Sequence, residues 1–374
     1  MNEIITSYIS NSFYIISGIQ ILFYLVVFGR LVFFNKETEA NTYTNEEAVS
    51  VVIVARNEYL NLKRFLPKIL NQNYPDFEVV LVNHSSTDDT NFLIKELQQE
   101  FPQLKYVEIK QDINFFQGKK FPLSMGIKSA KNDLLLFTDA DCSPDSENWI
   151  SEMVLAYKED TEIVLSYGAY KTESGFLNKI IRYDTIRVAI AYLSFAKWRI
   201  PYMGVGRNLS YRKELFYKQK GFMSHYKIAS GDDDLFVNKA ATRRNCEIIL
   251  NEKSKTISIP ENNFSNWINQ KRRHLSTGTN YKNVHLLLLG ILELSTILFY
   301  ILGITTLILS PFNIIALSLL SIRTALMLII FKKFMIITNE RKLLLLLPLL
   351  EIIIITLMPI LNLSNLLIKQ RKWK

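Results

Sequence analysis

Two aspartates separated by one residue, Asp139 and Asp141, follow directly on the apolar run Leu134–Phe137. A strand ending there turns both carboxylates toward one point. Oxygen ligands of that kind suit a hard divalent cation such as Mg2+ or Mn2+, and such ions commonly share their shell with substrate phosphates. An Asp-x-Asp pair is also a common solvated turn; its place behind a buried strand favours the metal reading. Further along, Ser230-Gly231-Asp232-Asp233-Asp234-Leu235 sets three carboxylates in succession. Their repulsion raises at least one pKa, and a cation or a helix N-terminus must compensate. A helix starting here, with Leu235 to Ala241 as its body, leaves two readings open: a base that takes a proton from a hydroxyl, or an acidic cap. Gln270-Lys271-Arg272-Arg273-His274, behind Trp267, offers cations that could neutralise a departing diphosphate; the same residues also suit a basic helix at a membrane surface. Gln117-Gly118-Lys119-Lys120 is a glycine-lysine turn ahead of a helix, able to approach phosphate through backbone and side chain.

These groups need a scaffold, and the pattern between them supplies one. Val49–Ala55, Phe77–Val82, Tyr106–Ile109, Asp133–Thr138 and Ile163–Tyr167 read as strands, and Leu60–Leu70, Thr90–Phe101, Pro122–Ser129 and Trp149–Tyr157 as helices. Alternation of this kind predicts a sheet with helices on both faces. The strands are unbroken apolar runs, as expected of strands covered on both sides. Ligands of such sheets bind beyond the carboxyl ends of the strands, which is where the polar motifs fall. Phe176–Trp198 mixes aromatic and aliphatic residues with Lys179, Arg182, Arg187 and Lys197; it suits an interfacial amphipathic helix or a core helix of the domain.

The apolar residues are concentrated at the two ends of the 374-residue chain. Phe13–Phe34 is long enough to span a hydrocarbon core of about 30 Å. Arg30 and Lys36 lie at its C-terminal end, and Met1–Ser12 carries no Lys or Arg, so the positive-inside bias places the following domain in the cytoplasm. Glu37–Glu47 reads as a linker. After Asn283, Val284–Leu309 and Phe312–Ile330 read as spans joined by a turn at Ser310-Pro311. Leu343–Ile368, interrupted by Pro348, Glu351 and Pro359, spans with kinks or re-enters. Lys332, Lys333, Arg341 and Lys342 form a basic cytoplasmic loop. Four simple crossings would leave the basic tail Lys369–Lys374 outside, against the same bias.

The net charge of +9 fits an anionic membrane surface, and no nucleic-acid-binding signature is present. Cys142 and Cys246 are too few for a disulfide framework and read as buried apolar residues in a reducing compartment. Zinc-ligand spacing, a nucleophile elbow and glycine-rich nucleotide loops are all missing.

Taken in order, the segments from Ala48 to Tyr281 resemble the family-2 glycosyltransferases with the GT-A fold. Val52–Glu58 looks like their first-strand nucleotide motif, Asn83–Thr90 like the Asp-Asp-Gly-Ser-x-Asp-x-Thr loop, and Gly118-Lys119 through Leu123 and Gly126 like the Gly-Lys-x-x-Ala-Leu-Asn-x-Gly stretch. Asp139-Ala140-Asp141 matches the Asp-x-Asp motif, Gly231–Leu235 the base motif, and Gln270-x-x-Arg273 the Gln-x-x-Arg-Trp motif. The resemblance implies an α/β GT-A domain with a mixed, mostly parallel sheet over 48–283, between an anchor at 1–36 with its linker 37–47 and a transmembrane region at 284–374. It implies that Ala55, Glu58 and His84 line the base and ribose, that Lys119 and Asp139 hold ribose or diphosphate, and that Asp141, with Asp139, holds Mg2+ or Mn2+. Asn208, within Gly206–Tyr211, falls on the acceptor side, and Gln270 and Arg273 meet acceptor and pyrophosphate.

The sequence departs from the pattern in three places. His84 stands where the family has an Asp, His274 replaces the Trp, and the base motif lacks its Glu. Alignment on Leu235 favours Asp232 as base, with Asp233 and Asp234 beside it. The implied reaction is inverting transfer from a nucleotide-sugar donor, UDP by default, to a lipid or lipid-linked acceptor at the cytoplasmic face of a bacterial cytoplasmic membrane. A processive polysaccharide synthase subunit working with a protein partner, and a non-catalytic membrane scaffold, are the other readings.

Overall fold

The computed structural model describes residues 2–34, 47–110, 118–228, 230–340 and 343–367. Lys36, linker residues 37–46, Gln117, Arg341, Lys342 and the basic tail lie outside them. The chain enters through α1 (Asn2–Leu22), which continues through a π turn at Phe23–Phe28 into α2 (Gly29–Phe33). The domain then alternates β1 (Val49–Ala55), α3 (Tyr59–Leu70), β2 (Phe77–His84), α4 (Thr90–Glu100), β3 (Leu104–Ile109), α5 (Lys120–Ser129) and β4 (Leu134–Phe137). Shorter strands follow: β5 (Cys142–Pro144), then α6 (Trp149–Leu155), β6 (Ile163–Leu165), β7 (Gly168–Tyr170), the long α7 (Phe176–Lys197) and β8 (Leu209–Arg212). Next come α8 (Lys213–Lys218), α9 (Asp234–Ala240), β9 (Cys246–Ile248), β10 (Thr256–Ser258) and α10 (Phe264–Gly278). The apolar helices α11 (Asn283–Leu309), α12 (Ile314–Ile337) and α13 (Leu347–Leu367) complete the described chain.

The main sheet has the order β3-β2-β1-β4-β8-β6-β9, and a small sheet the order β5-β10-β7. In the main sheet only β8 pairs antiparallel with its neighbours, so the sheet is mixed and mostly parallel. Along β1, Val49, Val51, Ile53 and Ala55 join the core beneath α3, α4 and α6, while Val52 and Val54 join the opposite core with Leu123 and Ile127 of α5. Burial on both faces is the reason the strand reads as a continuous apolar run. Gly126 lets α5 lie this close, since a Cβ there would stand 2.7 Å from Val52 and 2.9 Å from Val82.

The expected strands and helices of the first half are all present, with ends shifted by a few residues. The three-residue strands β5, β7, β9 and β10 were not legible, being too short to show a period. Three expectations about the apolar segments need correcting. The first helix begins at Asn2, well before Phe13, because its serines and asparagine ride on a helix whose register the apolar run continues. Lys332 and Lys333 belong to the last turns of α12, where Phe331, Phe334 and Met335 are buried while both lysines stay exposed. The last segment is one unbroken helix through Pro359. Finally, α7 is a core helix: Tyr183 stacks on Phe331 of α12 at 5.5 Å, and Arg182 and Arg187 are paired with Glu340 and Glu293 at 2.5 Å each.

Candidate functional site

The loops after β1 and β2 are laced together at one edge of the sheet. Ala55 is fully buried at the end of β1 and pairs in register with Asn83, the neighbour of His84 on β2. Asn57 adopts a left-handed backbone, φ 55°; its N–H donates to Ser86 Oγ at 2.9 Å and its Oδ1 accepts from Thr87 N at 2.8 Å. Glu58 N–H donates to Thr90 Oγ1 at 3.2 Å. Ala55, Glu58 and His84 thus share one carboxyl-end edge. An open cavity of about 550 Å³, lined by Asn57, Glu58, Tyr59, Asp88 and Asp89 among others, flanks it.

Next to β1 in the sheet, β4 delivers Asp139 and Asp141. Their carboxylates, with the Cys142 thiol, have ligand atoms within 4.8 Å of one another. Burial holds the Cys142 thiol well above its ordinary pKa, with Asp141 and Asp139 adding to the effect, and its sulfur meets Ser258 Oγ at 2.8 Å. The two carboxylates supply the oxygen donors at this point, and such donors fit Mg2+ or Mn2+. Lys119 forms an ion pair with Asp139. Burial opposes both charges; Asp139 and Asp232 nevertheless hold the ammonium above its usual range, and Lys119, Arg207 and Arg273 hold the Asp139 carboxyl below its own.

The three consecutive aspartates divide their work. Asp233 caps α9: its Oδ1 accepts from Asp234 N and its Oδ2 from Gly206 N, both at 2.7 Å. Burial, then Asp232 and Asp234, push its carboxyl up to about 8. Asp234 accepts from Thr277 Oγ1 and, at 2.8 Å, from Tyr281 Oη, which ties α9 to the end of α10. Asp232 lines a small cavity with Lys119, Gly206 and Tyr211. Gly231, at φ +99°, makes the turn that separates it from the preceding loop.

On α10, side chains 100° apart serve different neighbours. Lys271 pairs with Asp184 of α7. Arg272 donates to Asn365 Oδ1 of α13 at 3.1 Å. Gln270 accepts from Tyr170 Oη at 3.4 Å, and the Arg207 guanidinium lies 4.5 Å over the same Tyr170 ring. Through Tyr170 and Arg207, Gln270 is thereby joined to the loop that carries Asp139, and Arg273 is close enough to depress Asp139.

Two residues differ from expectation. Asn208 is buried and committed to the scaffold: its amide donates to the carbonyls of Tyr167 and Ser254 at 2.8 Å each, and its Oδ1 accepts from Trp149 Nε1 at 3.0 Å. It positions the Gly206-Arg207 turn, and Arg207 is the residue of that turn that approaches Asp139. Lys120, adjacent to the Lys119 that pairs with Asp139, turns away from the strand ends. Its ammonium donates to the carbonyls of His225 at 3.0 Å and of Ile228 and Ser230 at 2.5 Å each. It therefore clamps the loop that leads into Asp232. No spacing rule marks such a contact; a second lysine beside Lys119 was the only trace.

A mostly parallel sheet whose carboxyl edge gathers a nucleotide-side loop, an Asp-x-Asp pair and an acidic helix start defines a nucleotide-sugar domain of the GT-A type. Residues 50–223 match the sequence model of the family described as glycosyl transferase family 2, and this segment is a family-2 glycosyltransferase domain. The fold of nearly the whole chain is that of the mannosyltransferase PcManGT from Pyrobaculum calidifontis, solved in complex with GDP-Man and Mn2+. The TM-score is 0.58 at 18% identity, over 94% of this chain and 99% of that one. The chain is 28% identical over 93 residues to a GalNAc(5)-diNAcBac-PP-undecaprenol beta-1,3-glucosyltransferase of Campylobacter jejuni, covering 25% of this chain and 29% of that protein. It is 28% identical over 131 residues to a poly-beta-1,6-N-acetyl-D-glucosamine synthase of Staphylococcus epidermidis, covering 33% and 31%. The matches span about a third of the length of the curated relatives.

Proposed function

We propose that the protein transfers a sugar from a nucleotide diphosphate donor, UDP-linked by default, to a lipid or lipid-linked acceptor at the cytoplasmic face of a bacterial membrane, with inversion at the sugar. The observation that carries this reading is that Lys119, paired with Asp139, lines one cavity with Asp232, while the neighbouring Asp234 is bonded to Thr277 of α10 and to Tyr281 just ahead of α11. A name that includes a polyprenyl diphosphate acceptor in one relative supports the lipid class, and the Mn2+ in the fold neighbour supports a divalent ion.

In this reading Ala55, Glu58 and His84 receive base and ribose, while Asp139 and Asp141 hold Mg2+ or Mn2+ against the diphosphate. The ion, when bound, offsets charge on the departing diphosphate. Asp232 is the base, because Asp233 and Asp234 spend their oxygens on Gly206, Asp234 N, Thr277 and Tyr281. Asp232 takes the acceptor hydroxyl proton as its oxygen attacks the anomeric carbon, and the bond from that carbon to the diphosphate oxygen breaks. Lys119, Arg207 and Arg273 surround the anion that leaves. Holding both substrates in line removes an entropic barrier of about 7 kcal/mol or more.

The test is incubation of membranes with labelled nucleotide sugars, followed by separation of lipid from polymer. Label in the lipid fraction, lost in Asp141→Ala, is expected. Label only in aqueous polymer would favour the processive reading that the synthase relative represents. Unchanged donor turnover in Asp141→Ala would refute the metal-site assignment.

A further inference from the structure

By length and composition the last apolar helix passes for a membrane span, 22 residues with mean hydropathy 2.6. Its contacts describe something else. Just ahead of it, Glu340 receives Arg182 at 2.5 Å and Tyr167 Oη at 3.2 Å, and the Thr338 carbonyl receives Lys255 Nζ at 2.7 Å. All three donors belong to the α/β domain. At the other end, Asn365 accepts from Arg272 Nε at 3.1 Å and returns its amide to the Arg272 carbonyl at 2.8 Å, while Arg272 Nη2 donates to the Ser364 carbonyl at 3.3 Å. Arg272 lies on α10, also of that domain. A helix of 21 residues is about 31 Å long at 1.5 Å per residue, enough to cross the hydrocarbon. A crossing helix would carry its end to the far side, yet here the last turns of α13 meet the same domain as the segment Thr338–Glu340 ahead of it.

The pattern of burial along α13 agrees. Leu347, Leu350, Ile354, Met358 and Leu361 are buried in the core shared with α7 and Trp267 of α10. The opposite stripe, Leu349, Ile352, Ile360 and Leu363, is 45% to 64% exposed. By contrast, α1, α11 and α12 pack along one another, with Phe13 against Phe299 at 5.6 Å and Gln20 Nε2 on Ser295 Oγ at 2.7 Å. Where α13 passes this bundle, Glu351 pairs with the fully buried Arg323 of α12, which is also held by Gln20. Tyr24 and Tyr300 also donate to Glu351, so the fifth residue of α13 is pinned to all three helices of the bundle.

We propose that α13 lies in the plane of the membrane, its exposed apolar stripe in the acyl chains of the cytoplasmic leaflet, and that the chain crosses only three times, through α1, α11 and α12. An apolar stripe opposite a protein-bound one is what an in-plane helix presents to a leaflet. The exposed Lys332 and Lys333 mark the same level by attraction to anionic headgroups. Three crossings bring the end of α13 to the side of the α/β domain, which removes the conflict with the positive-inside bias. The arrangement also sets α10, with Gln270 and Arg273, against a helix at headgroup level. It does not depend on the identity of donor or acceptor.

Two measurements on the full chain in sealed inside-out vesicles decide it. The native cysteines are buried, so cysteines can be introduced singly for labelling with an impermeant maleimide. Labelling of Lys227→Cys and of a cysteine appended after Lys374, with protection of Phe312→Cys, is expected. An appended cysteine protected like Phe312→Cys would mean a fourth crossing and overturn the proposal. Spin labels at Leu349→Cys, Ile352→Cys, Thr356→Cys, Ile360→Cys and Leu363→Cys should report one common depth, about 5 to 10 Å below the headgroups. A steady gradient or a profile deepest at the middle would overturn it in favour of a span or a re-entrant segment.

Discussion

The two sides of the cleft are built by different means. On the proposed donor side, Ala55, His84, Asp139 and Asp141 stand where strands end, and the sheet's hydrogen bonds fix them from behind. On the proposed acceptor side, Asp232, Gln270 and Arg273 depend on side-chain bonds between segments far apart in the chain: Lys120 to Ser230, Asp234 to Thr277 and Tyr281, Lys271 to Asp184. A backbone scaffold tolerates the loss of one polar side chain better than a set of point contacts does. Substitutions behind the donor side should therefore matter mainly when they touch the ligand, while on the acceptor side they should matter at a distance.

The sharpest break in that comparison comes from the reacting groups. Asp232→Asn is expected to lower turnover about 10²- to 10⁴-fold, with donor binding retained in calorimetry; the same loss in Asp233→Asn but not in Asp232→Asn would reassign the base. Next in size is Lys120→Met, which leaves three carbonyls without their donor. Stability is expected to fall by about 1 to 3 kcal/mol, and turnover to fall in the folded fraction through the loop that leads into Asp232. A melt and a turnover assay on the same sample separate the two effects.

A third prediction follows from Asp233. Its carboxyl is pushed up from 3.8 to about 8 by burial and by Asp232 and Asp234. The folded state then binds the proton more tightly than the unfolded state, so this group's contribution is full below about pH 4 and is lost as pH rises toward 8. Asp233→Asn should flatten the decline of the thermal midpoint across that window. A slope equal to the parent's would mean that the two backbone N–H bonds keep the group ionised. The smallest effect is expected from Tyr281→Phe, which removes one bond to Asp234, worth about 0.5 to 1.5 kcal/mol. A KM rise for the acceptor without one for the donor would place α10 on the acceptor side.

Periodicity and motif order determined much of this protein by themselves. The doubly covered sheet, the Asp139/Asp141 pair behind β4, the acidic start of α9 and the apolar ends are all local statements, because strand burial, helix capping and hydropathy are read over a few neighbouring residues. Tertiary structure decided what those statements left open. Whether a run of apolar residues crosses a membrane or lies along it depends on what its two ends touch; for α13 the proposal rests on Glu340 ahead of it, bonded to Arg182, and on Asn365 near its end, bonded to Arg272. Which of three adjacent aspartates stays available depends on partners as distant as Gly206, Thr277 and Tyr281. Composition is a property of a segment, but burial and hydrogen-bond commitment are properties of pairs brought together only by folding.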